Sequence, residues 1–321
     1  MKSKLRTMFS HYQEPLYIGA FSSCIGNSVH EISELNRLSE DEKLLDFLTN
    51  MGLHQYRSSE MSPAQLAYES AKNTITKSGL EPSDIDAVIY VTESLWCTEW
   101  YSTDHNHLLE KLHLENSYMI GTFLRGCSNI HTALRIASNM CITNETSNVL
   151  IITSDQAEND DLRLVPPNIG VTSDGAASFI LSKSVEISEF RILCNSQSAI
   201  PSMYKLDESV QYMKFMKCIG DGLSACVNRC TDETKIMLND MKYFVMNNYN
   251  KSVVNMFSSI IEASEEKFVT DNISRYGHCY SSDNVLNIMH LIENNNISSG
   301  EMIMNISSGP ASWGSSILVK E

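Results

Sequence analysis

Short apolar runs rich in β-branched residues recur along the chain, and acidic or turn-forming residues precede most of them. Runs of this length and composition predict strands that are buried in a sheet. Six predicted strands occupy residues 84–91, 148–154, 174–183, 240–247, 302–308 and 312–320.

The last three of these strands repeat the first three in the same order. DIDAVIYV (84–91) and DMKYFVMN (240–247) both begin with an acidic residue and continue into an apolar run. Two further pairs of runs follow, and the offset within a pair is roughly 135 to 160 residues. Any single match is weak, but the ordered set predicts duplicated α/β halves.

Helices are predicted between the strands. Ser62 and Pro63 form a helix start, with Ser as N-cap and Pro at the first helical position. The predicted helices are 62–77, 128–139, 209–230, 251–263 and 283–294. An irregular insertion is predicted at 93–118, a loop at 156–170 and an excursion at 199–210. Alternating strands and helices predict mostly parallel sheets covered by helices, which in two halves gives a five-layer αβαβα sandwich.

Length and charge narrow the class of protein. The 321 residues suit two fused domains of roughly 150 residues each, which we place at 1–184 and 185–321. The net charge of −15 disfavours nucleic acid and anionic membranes as partners. No apolar run approaches the roughly 18 residues of a membrane span. The basic N-terminus has no apolar stretch behind it, so we expect no signal peptide.

The nine cysteines are odd in number and include no CxxC pair, so we expect free thiols in a reducing cytoplasm. Cys226 and Cys230 are four residues apart and would share a helix face. No second ligand pair accompanies them, so we interpret them as small buried residues and expect no metal site.

Five segments resemble β-ketoacyl-ACP synthase III. GTFLRGCSNIHTALRIA (121–137) is similar to its nucleophile segment, and TSDGAASFILS (172–182) to its GDGAGA-type strand. RYGHCYSSDNV (275–285) is similar to its YGN(T/S)SAAS segment, and ISSGPASWGSSILV (306–319) to its glycine-rich terminus. Residues 62–94 match its first helix–strand unit. The resemblance implies the thiolase fold, an α/β fold in which two αβ halves form the five-layer αβαβα sandwich.

The resemblance implies that Cys127 is the nucleophile that carries an acyl group. A cysteine at a helix N-terminus is close to unpaired backbone N–H groups and to the positive end of the helix dipole, and both favour the reactive thiolate. The alternative for any one of nine cysteines is a buried structural role. The resemblance also implies an oxyanion hole built from the N–H groups of Cys127 and Gly309.

The two other catalytic positions depart from the family pattern. Asn247 stands where the family has His, and His278 stands where it has Asn, an order that resembles thiolases. We therefore expect His278 to be the acid–base residue and Asn247 to donate its amide to the substrate oxygen or to a water. Asn248 is an alternative to Asn247 because it is adjacent. His131, His105 and His107 are alternatives to His278.

No cofactor is expected, because the resemblance makes an acyl-CoA or an acyl carrier protein thioester the substrate. Asp46 and Asn50 replace the Trp and Arg with which the family clamps CoA. Phe47 is a candidate for stacking on the donor, with a helix-core role as the alternative. Lys251 lies near the position where the family presents basic residues to carrier proteins. The choice between CoA and carrier protein stays open.

The resemblance implies an acyltransferase or ketosynthase-like enzyme, with a malonyl carbanion, an amine or an alcohol as the acceptor. NISSGP (305–310) lacks the second cysteine of thiolases, which disfavours thiolase chemistry. The departures from the family pattern favour specialised metabolism over fatty-acid initiation. The family forms dimers through the region equivalent to 119–155, and a homodimer or a heterodimer is expected. The alternative function is a catalytically weak partner subunit of a heterodimeric enzyme.

Overall fold

The computed structural model describes residues 14–94 and 104–321. The strands are β1 Leu16–Ile25, β2 Ser28–Glu31, β3 Gln55–Ser58, β4 Ala87–Val91, β5 Tyr118–Thr122, β6 Asn148–Asp155, β7 Leu164–Val165, β8 Gly170–Val171, β9 Gly175–Ser182, β10 Phe190–Ala199, β11 Met241–Val245, β12 Met302–Gly309 and β13 Ser312–Lys320. The helices are α1 Asn36–Ser39, α2 Glu42–Asn50, α3 Pro63–Ser78, α4 Asp104–Lys111, α5 Asn129–Ile142, α6 Glu208–Thr234, α7 Lys251–Ile261, α8 Ile273–Tyr276 and α9 Ser282–Glu293.

Nine strands form one sheet, in the order β11-β12-β13-β10-β1-β9-β6-β4-β5. In its middle, β1 pairs antiparallel with β10, and Ile18 lies opposite Phe190. From this junction outward, β9, β6 and β4 follow β1, while β13, β12 and β11 follow β10. The pairs β4–β6 and β11–β12 are parallel, and the pairs β6–β9 and β12–β13 are antiparallel, while β5 adds one further parallel strand outside β4. The predicted repeat of three strands is therefore a repeat of topology, and the duplication is confirmed.

Apolar side chains place helices in three layers around the two halves of the sheet. α5 and α9 lie in the central cluster, which also includes Ile89 and Ile303 from the two halves. α3 covers the outer face of the first half through Ala67 and Ala71. α6 and α7 cover the outer face of the second half, with Val227 in its cluster. These layers confirm the five-layer thiolase sandwich. No helix in residues 14–94 and 104–321 has the length and apolar character that a bilayer crossing requires.

The predicted irregular insertion at 93–118 is wrong in part. Asp104–Lys111 is helical, because Leu108 and Leu112 recur after one turn and are buried in the cluster beneath α3. Residues 95–103, which include Cys97, lie outside the described residues, as does the N-terminal segment 1–13. The remaining predicted helices and strands are present within a few residues of their expected limits.

Candidate active site

Cys127 lies in a tight turn that joins β5 to α5. Gly126–Ser128 forms a single 3₁₀ turn, which is followed directly by α5. Gly126 has a φ of 54°, and a Cβ there would lie 2.4 Å from Cδ of Pro310 and 3.2 Å from Cα of Gly309. Only glycine fits this left-handed, crowded position. The turn of the first half that carries Cys127 is therefore packed against a turn of the second half.

His278 contacts the sulfur of Cys127. Its Nε2 lies 3.2 Å from Sγ of Cys127, and its Nδ1 lies 2.5 Å from Oδ2 of Asp283. The backbone N–H of His278 donates to the carbonyl of Val171 over 2.8 Å, which anchors the imidazole to β8. The structure thus joins a thiol, an imidazole and a carboxylate in one hydrogen-bonded chain.

Asp283 orients His278 and was missed by sequence reasoning. Its carboxylate accepts the backbone N–H groups of Asn248 and Cys279, each over 2.7 Å. The side-chain amide of Asn248 donates to the same carboxylate over 3.1 Å. These donors fix the carboxyl group of Asp283 beside Nδ1 of His278, an arrangement that holds the Nδ1–H tautomer and turns Nε2 toward Cys127. The sequence did contain a signal for this pair. Asp283 lies five residues after His278, in the first turn of α9, which is close enough for its carboxyl group to reach the imidazole.

Asn247 is buried beside these residues, and its side-chain amide forms hydrogen bonds with backbone groups. Its Oδ1 accepts the N–H of Ser308 over 2.9 Å. Its Nδ2 donates to the carbonyl of Tyr280 over 3.4 Å and to Asn284 over 3.3 Å. Among the hydrogen bonds of residues 14–94 and 104–321, none joins Asn247 to Cys127. Its role as an oxyanion donor stays a prediction.

Gly309 lies against the turn that carries Cys127. It is the last residue of β12, and a Cβ on it would lie 2.1 Å from the carbonyl oxygen of Arg125 and 3.1 Å from Cα of Gly126. The absence of a side chain lets the two turns touch, so Gly309 lies against Arg125 and Gly126, the two residues directly before Cys127. Participation of both N–H groups in an oxyanion hole stays a prediction.

Glu93 places a carboxyl group at the sulfur, and sequence reasoning missed it. Its Oε1 lies 2.9 Å from Sγ of Cys127. Glu93 follows β4 by two residues, so it stands at the carboxyl end of a parallel strand. Such strand ends are where α/β proteins place their ligands. A carboxylate directly after a buried apolar run was the signal that could have found it.

The carboxyl groups make this an acidic site. Burial raises the pKa of Cys127 well above its ordinary value, and the neighbouring Glu93 raises it further. Burial also raises the pKa of Glu93 and raises that of Asp155 to about 7. These effects oppose the thiolate that the helix N-terminus favours. The thiolate therefore has to form by transfer of its proton to a base.

His278 is the candidate base at the sulfur, and its role as the base stays a prediction. Burial lowers the pKa of His278, but the charge and hydrogen bond of Asp283 outweigh burial, so the net pKa is raised. Tyr249 lies against the imidazole, with ring centroids 4.7 Å apart. The alternative base His131 is hydrogen-bonded to Asn195, and burial lowers its pKa to about 4. His107 is exposed, and the side chain of His105 lies outside the described residues.

The two residues predicted to bind the donor lie at one corner of the molecule. Phe47 is on α2 and is 44% exposed, so the alternative of a helix-core phenylalanine is wrong. Lys251 begins α7, and its N–H donates to the carbonyl of Met51 over 2.9 Å. Its side chain covers Gly52, where a Cβ would lie 3.2 Å from Cε of Lys251. Donor binding by Phe47 and Lys251 stays a prediction.

A duplicated α/β sandwich with a cysteine at the N-terminus of a central helix defines the thiolase class. Residues 231–320 match the family model of the 3-oxoacyl-[acyl-carrier-protein] synthase III C-terminal region. The chain is also 21% identical over 322 residues to a β-ketoacyl-[acyl-carrier-protein] synthase III of Helicobacter hepaticus, a match that covers 92% of this chain and 93% of that protein. These matches confirm the resemblance to β-ketoacyl-ACP synthase III, whose family model covers the C-terminal region of the chain.

Solved structures share the fold at lower identity. The acyltransferase ChlB3 has a TM-score of 0.83 and 14% identity, and the match covers 95% of this chain and 98% of ChlB3. The 3-oxoacyl-[acyl-carrier-protein] synthase III from Aquifex aeolicus VF5 has a TM-score of 0.80 and 17% identity, covering 95% of this chain and 99% of that chain. These similarities establish the architecture, and the chemistry has to be argued from the site.

Proposed function

We propose that the protein is an acyltransferase that takes an acyl group from a thioester onto Cys127 and passes it to a second substrate. The observation that carries the proposal is the hydrogen-bonded chain from Cys127 to His278 to Asp283. Thiol, imidazole and orienting carboxylate are the parts that nucleophilic catalysis requires. The confirmed similarity to synthase III supports the same chemistry.

In the acylation step, Nε2 of His278 takes the thiol proton and the Cys127 sulfur attacks the thioester carbonyl. The oxygen of the tetrahedral intermediate is stabilised by the N–H groups of Cys127 and Gly309. Collapse of the intermediate breaks the bond to the donor sulfur. The proton on His278 then passes to the departing thiolate, so the imidazole is neutral again in the acyl-enzyme.

The donor is a thioester of CoA or of an acyl carrier protein. Either donor could bind at the surface that Phe47 and Lys251 form, because Phe47 is exposed and the Lys251 side chain lies over Gly52 nearby. A dimer is supported by β5, which is an edge strand of the nine-stranded sheet and is followed by Phe123 and Leu124, both exposed. Light scattering at micromolar concentration tests this point, and a 36 kDa species would contradict it.

Intact-mass measurement tests the acyl-enzyme. We expect incubation with a panel of acyl-CoAs and acyl carrier proteins to add one acyl mass to the wild type. Cys127→Ala should lose the adduct, while Cys24→Ala, which removes a partly exposed thiol, should keep it. An adduct that survives in Cys127→Ala would refute the assignment of the nucleophile. A wild type that no donor acylates would instead favour the catalytically weak partner subunit.

A further inference from the structure

The imidazole of His278 and the carboxyl group of Glu93 both lie within hydrogen-bonding distance of the Cys127 sulfur, beside the buried Tyr249, and acylation uses only the imidazole. Nε2 of His278 lies 3.2 Å from Sγ, and Oε1 of Glu93 lies 2.9 Å from the same atom. The two groups come from different halves of the fold, because Glu93 follows β4 and His278 follows α8. The acylation step described above leaves Glu93 without a role.

The backbone of Glu93 is fixed by a buried carboxylate. Oδ1 of Asp155 accepts the N–H of Glu93 over 2.6 Å. The same oxygen accepts the hydroxyl of Thr92 over 2.9 Å and both the N–H and the hydroxyl of Ser94 over 3.0 Å. This network holds the loop after β4 in one arrangement. Glu93 is therefore positioned at the sulfur by the tertiary structure, which is what a group that transfers protons at a fixed atom requires.

We propose that Glu93 is the acid–base residue of the second half-reaction and that the acceptor is a neutral alcohol or amine. This inference rests on the proposed function, because it needs the acyl-enzyme on Cys127. It assigns one proton carrier to each half-reaction, with His278 serving the donor and Glu93 serving the acceptor.

The Glu93 carboxylate takes the proton from the O–H or N–H of the acceptor while the acceptor heteroatom attacks the carbonyl carbon of the acyl-enzyme. The tetrahedral intermediate collapses, the bond from carbon to Sγ breaks, and the new ester or amide leaves. Glu93 then gives its proton to the Cys127 thiolate across the 2.9 Å contact. The thiol and the carboxylate are restored without an external oxidant or reductant.

The charges around the sulfur disfavour a malonyl acceptor. After burial, the groups that most raise the pKa of Cys127 are Glu93, Asp283 and Asp155, all of which are acids. A malonyl carboxylate would have to enter beside them, and like charges in a buried site repel strongly. A decarboxylative attack also yields a carbanion without any proton for a base to remove. An alcohol or amine brings no negative charge and does carry such a proton.

The pH dependence of deacylation follows from the same group. The titratable groups that face Glu93 or interact with its charge are Cys127, His278, Asp283, Asp155, Tyr249 and Tyr280. Burial raises the pKa of Glu93 above that of a free glutamate. The base form is the carboxylate. Breakdown of the acyl-enzyme should therefore be slow below this raised pKa and should increase as the pH rises through it.

The test uses p-nitrophenyl acetate as the acylating probe and water or ethanolamine as the acceptor. Release of p-nitrophenolate in the burst reports acylation, and the later steady rate reports deacylation. In Glu93→Gln we expect the burst rate within about 10-fold of wild type and the steady rate lower by about 10²–10⁴-fold. The rise of the steady rate with pH should be lost. Glu158→Gln, which changes an exposed glutamate three residues after Asp155, is the matched control and should behave as wild type.

Several results would overturn the inference. Glu93→Gln with a wild-type steady rate, or with burst and steady rates reduced equally, would remove Glu93 from the second half-reaction. If thermal melting shows that this variant is unfolded, Glu93→Asp replaces it and must keep the pH-dependent rise. Formation of a β-ketoacyl product from the acetyl-enzyme and malonyl-CoA would refute the acceptor class. A burst that persists in Cys127→Ala would instead refute the proposed function itself.

Discussion

The two halves of the sheet share one topology and carry different chemistry at their strand ends. β6 ends at Asp155, whereas β12, its counterpart, ends at Gly309. The loop after β4 carries the carboxyl group of Glu93, whereas the loop after β11 carries the amides of Asn247 and Asn248. Carboxyl groups therefore dominate the strand ends of the first half, and amides and a glycine dominate those of the second.

This difference shows how a duplicated scaffold makes an asymmetric site. The common framework brings both sets of strand ends to one place, where Gly126 contacts Gly309 and Pro310. The first half provides the thiol and Glu93, and the second provides His278 and its carboxylate Asp283. Neither half has the hydrogen-bonded chain alone. Substitutions in each half test whether the two halves contribute to the site in these different ways.

The largest effect is expected at His278, which links the second half to the nucleophile. His278→Ala removes the base from Cys127, whose thiol is buried among carboxyl groups that oppose its ionisation. We expect single-turnover acylation to slow by about 10²–10⁴-fold. Stopped-flow measurement with an acyl donor checks this. Acylation at the wild-type rate would mean that Glu93, and not His278, removes the thiol proton.

Asp283→Asn tests whether the carboxylate positions that base. The amide cannot stabilise the protonated imidazole, and it perturbs the N–H donors of Asn248 and Cys279. We expect acylation to slow by about 10²-fold or more, as in other carboxylate–imidazole pairs.

The pH profile separates this role from a merely structural one. Neutral His278 is the active base, so acylation should rise with pH through its pKa, which Asp283 keeps above the ordinary value. In Asp283→Asn the midpoint of the rise should move to lower pH. An unchanged midpoint would contradict the electrostatic role.

A smaller effect is expected at Asn247, the amide after β11. In the structure it holds the N–H of Ser308 and the carbonyl of Tyr280. Asn247→Ala should lower the free energy of unfolding by about 1–3 kcal/mol through the unpaired Ser308 N–H, and slow acylation by less than about 10²-fold. Urea unfolding and single-turnover acylation measure the two effects. A rate loss of about 10²–10³-fold at unchanged stability would instead identify Asn247 as an oxyanion donor.

The smallest effect concerns the contact between the two turns. Gly126 and Gly79 both have positive φ angles, of 54° and 69°, but only Gly126 is crowded by Pro310. Gly79→Ala should cost about 1–2 kcal/mol of unfolding free energy for its left-handed backbone. Gly126→Ala should cost more, and should also slow acylation because Cys127 is displaced. If urea unfolding gives the same loss of unfolding free energy for both variants, and the acylation rate of Gly126→Ala is unchanged, the contact with Pro310 adds nothing to the effect of the left-handed backbone.

Sequence patterns predicted the helices and strands well, because each element is indicated by apolar residues that are close together along the chain. The six predicted strands and the five predicted helices are present, and the repeat correctly predicted the duplicated halves. The helix Asp104–Lys111 was missed because only Leu108 and Leu112 indicate its buried face within a polar segment. The segment motifs also indicated Cys127, His278 and Gly309, which the structure brings to one place.

The sequence by itself determined the order of helices and strands along the chain, the layers and the resemblance of the segment around Cys127 to a nucleophile segment, because periodicity and motif spacing are properties of neighbouring residues. Only the tertiary structure decided which acids reach the sulfur. Glu93 is 34 residues from Cys127 along the chain, and Asp283 acts through an imidazole that lies 151 residues from the thiol. Whether a carboxyl group raises the pKa of a thiol depends on distance and burial, and both arise only when the two halves pack together.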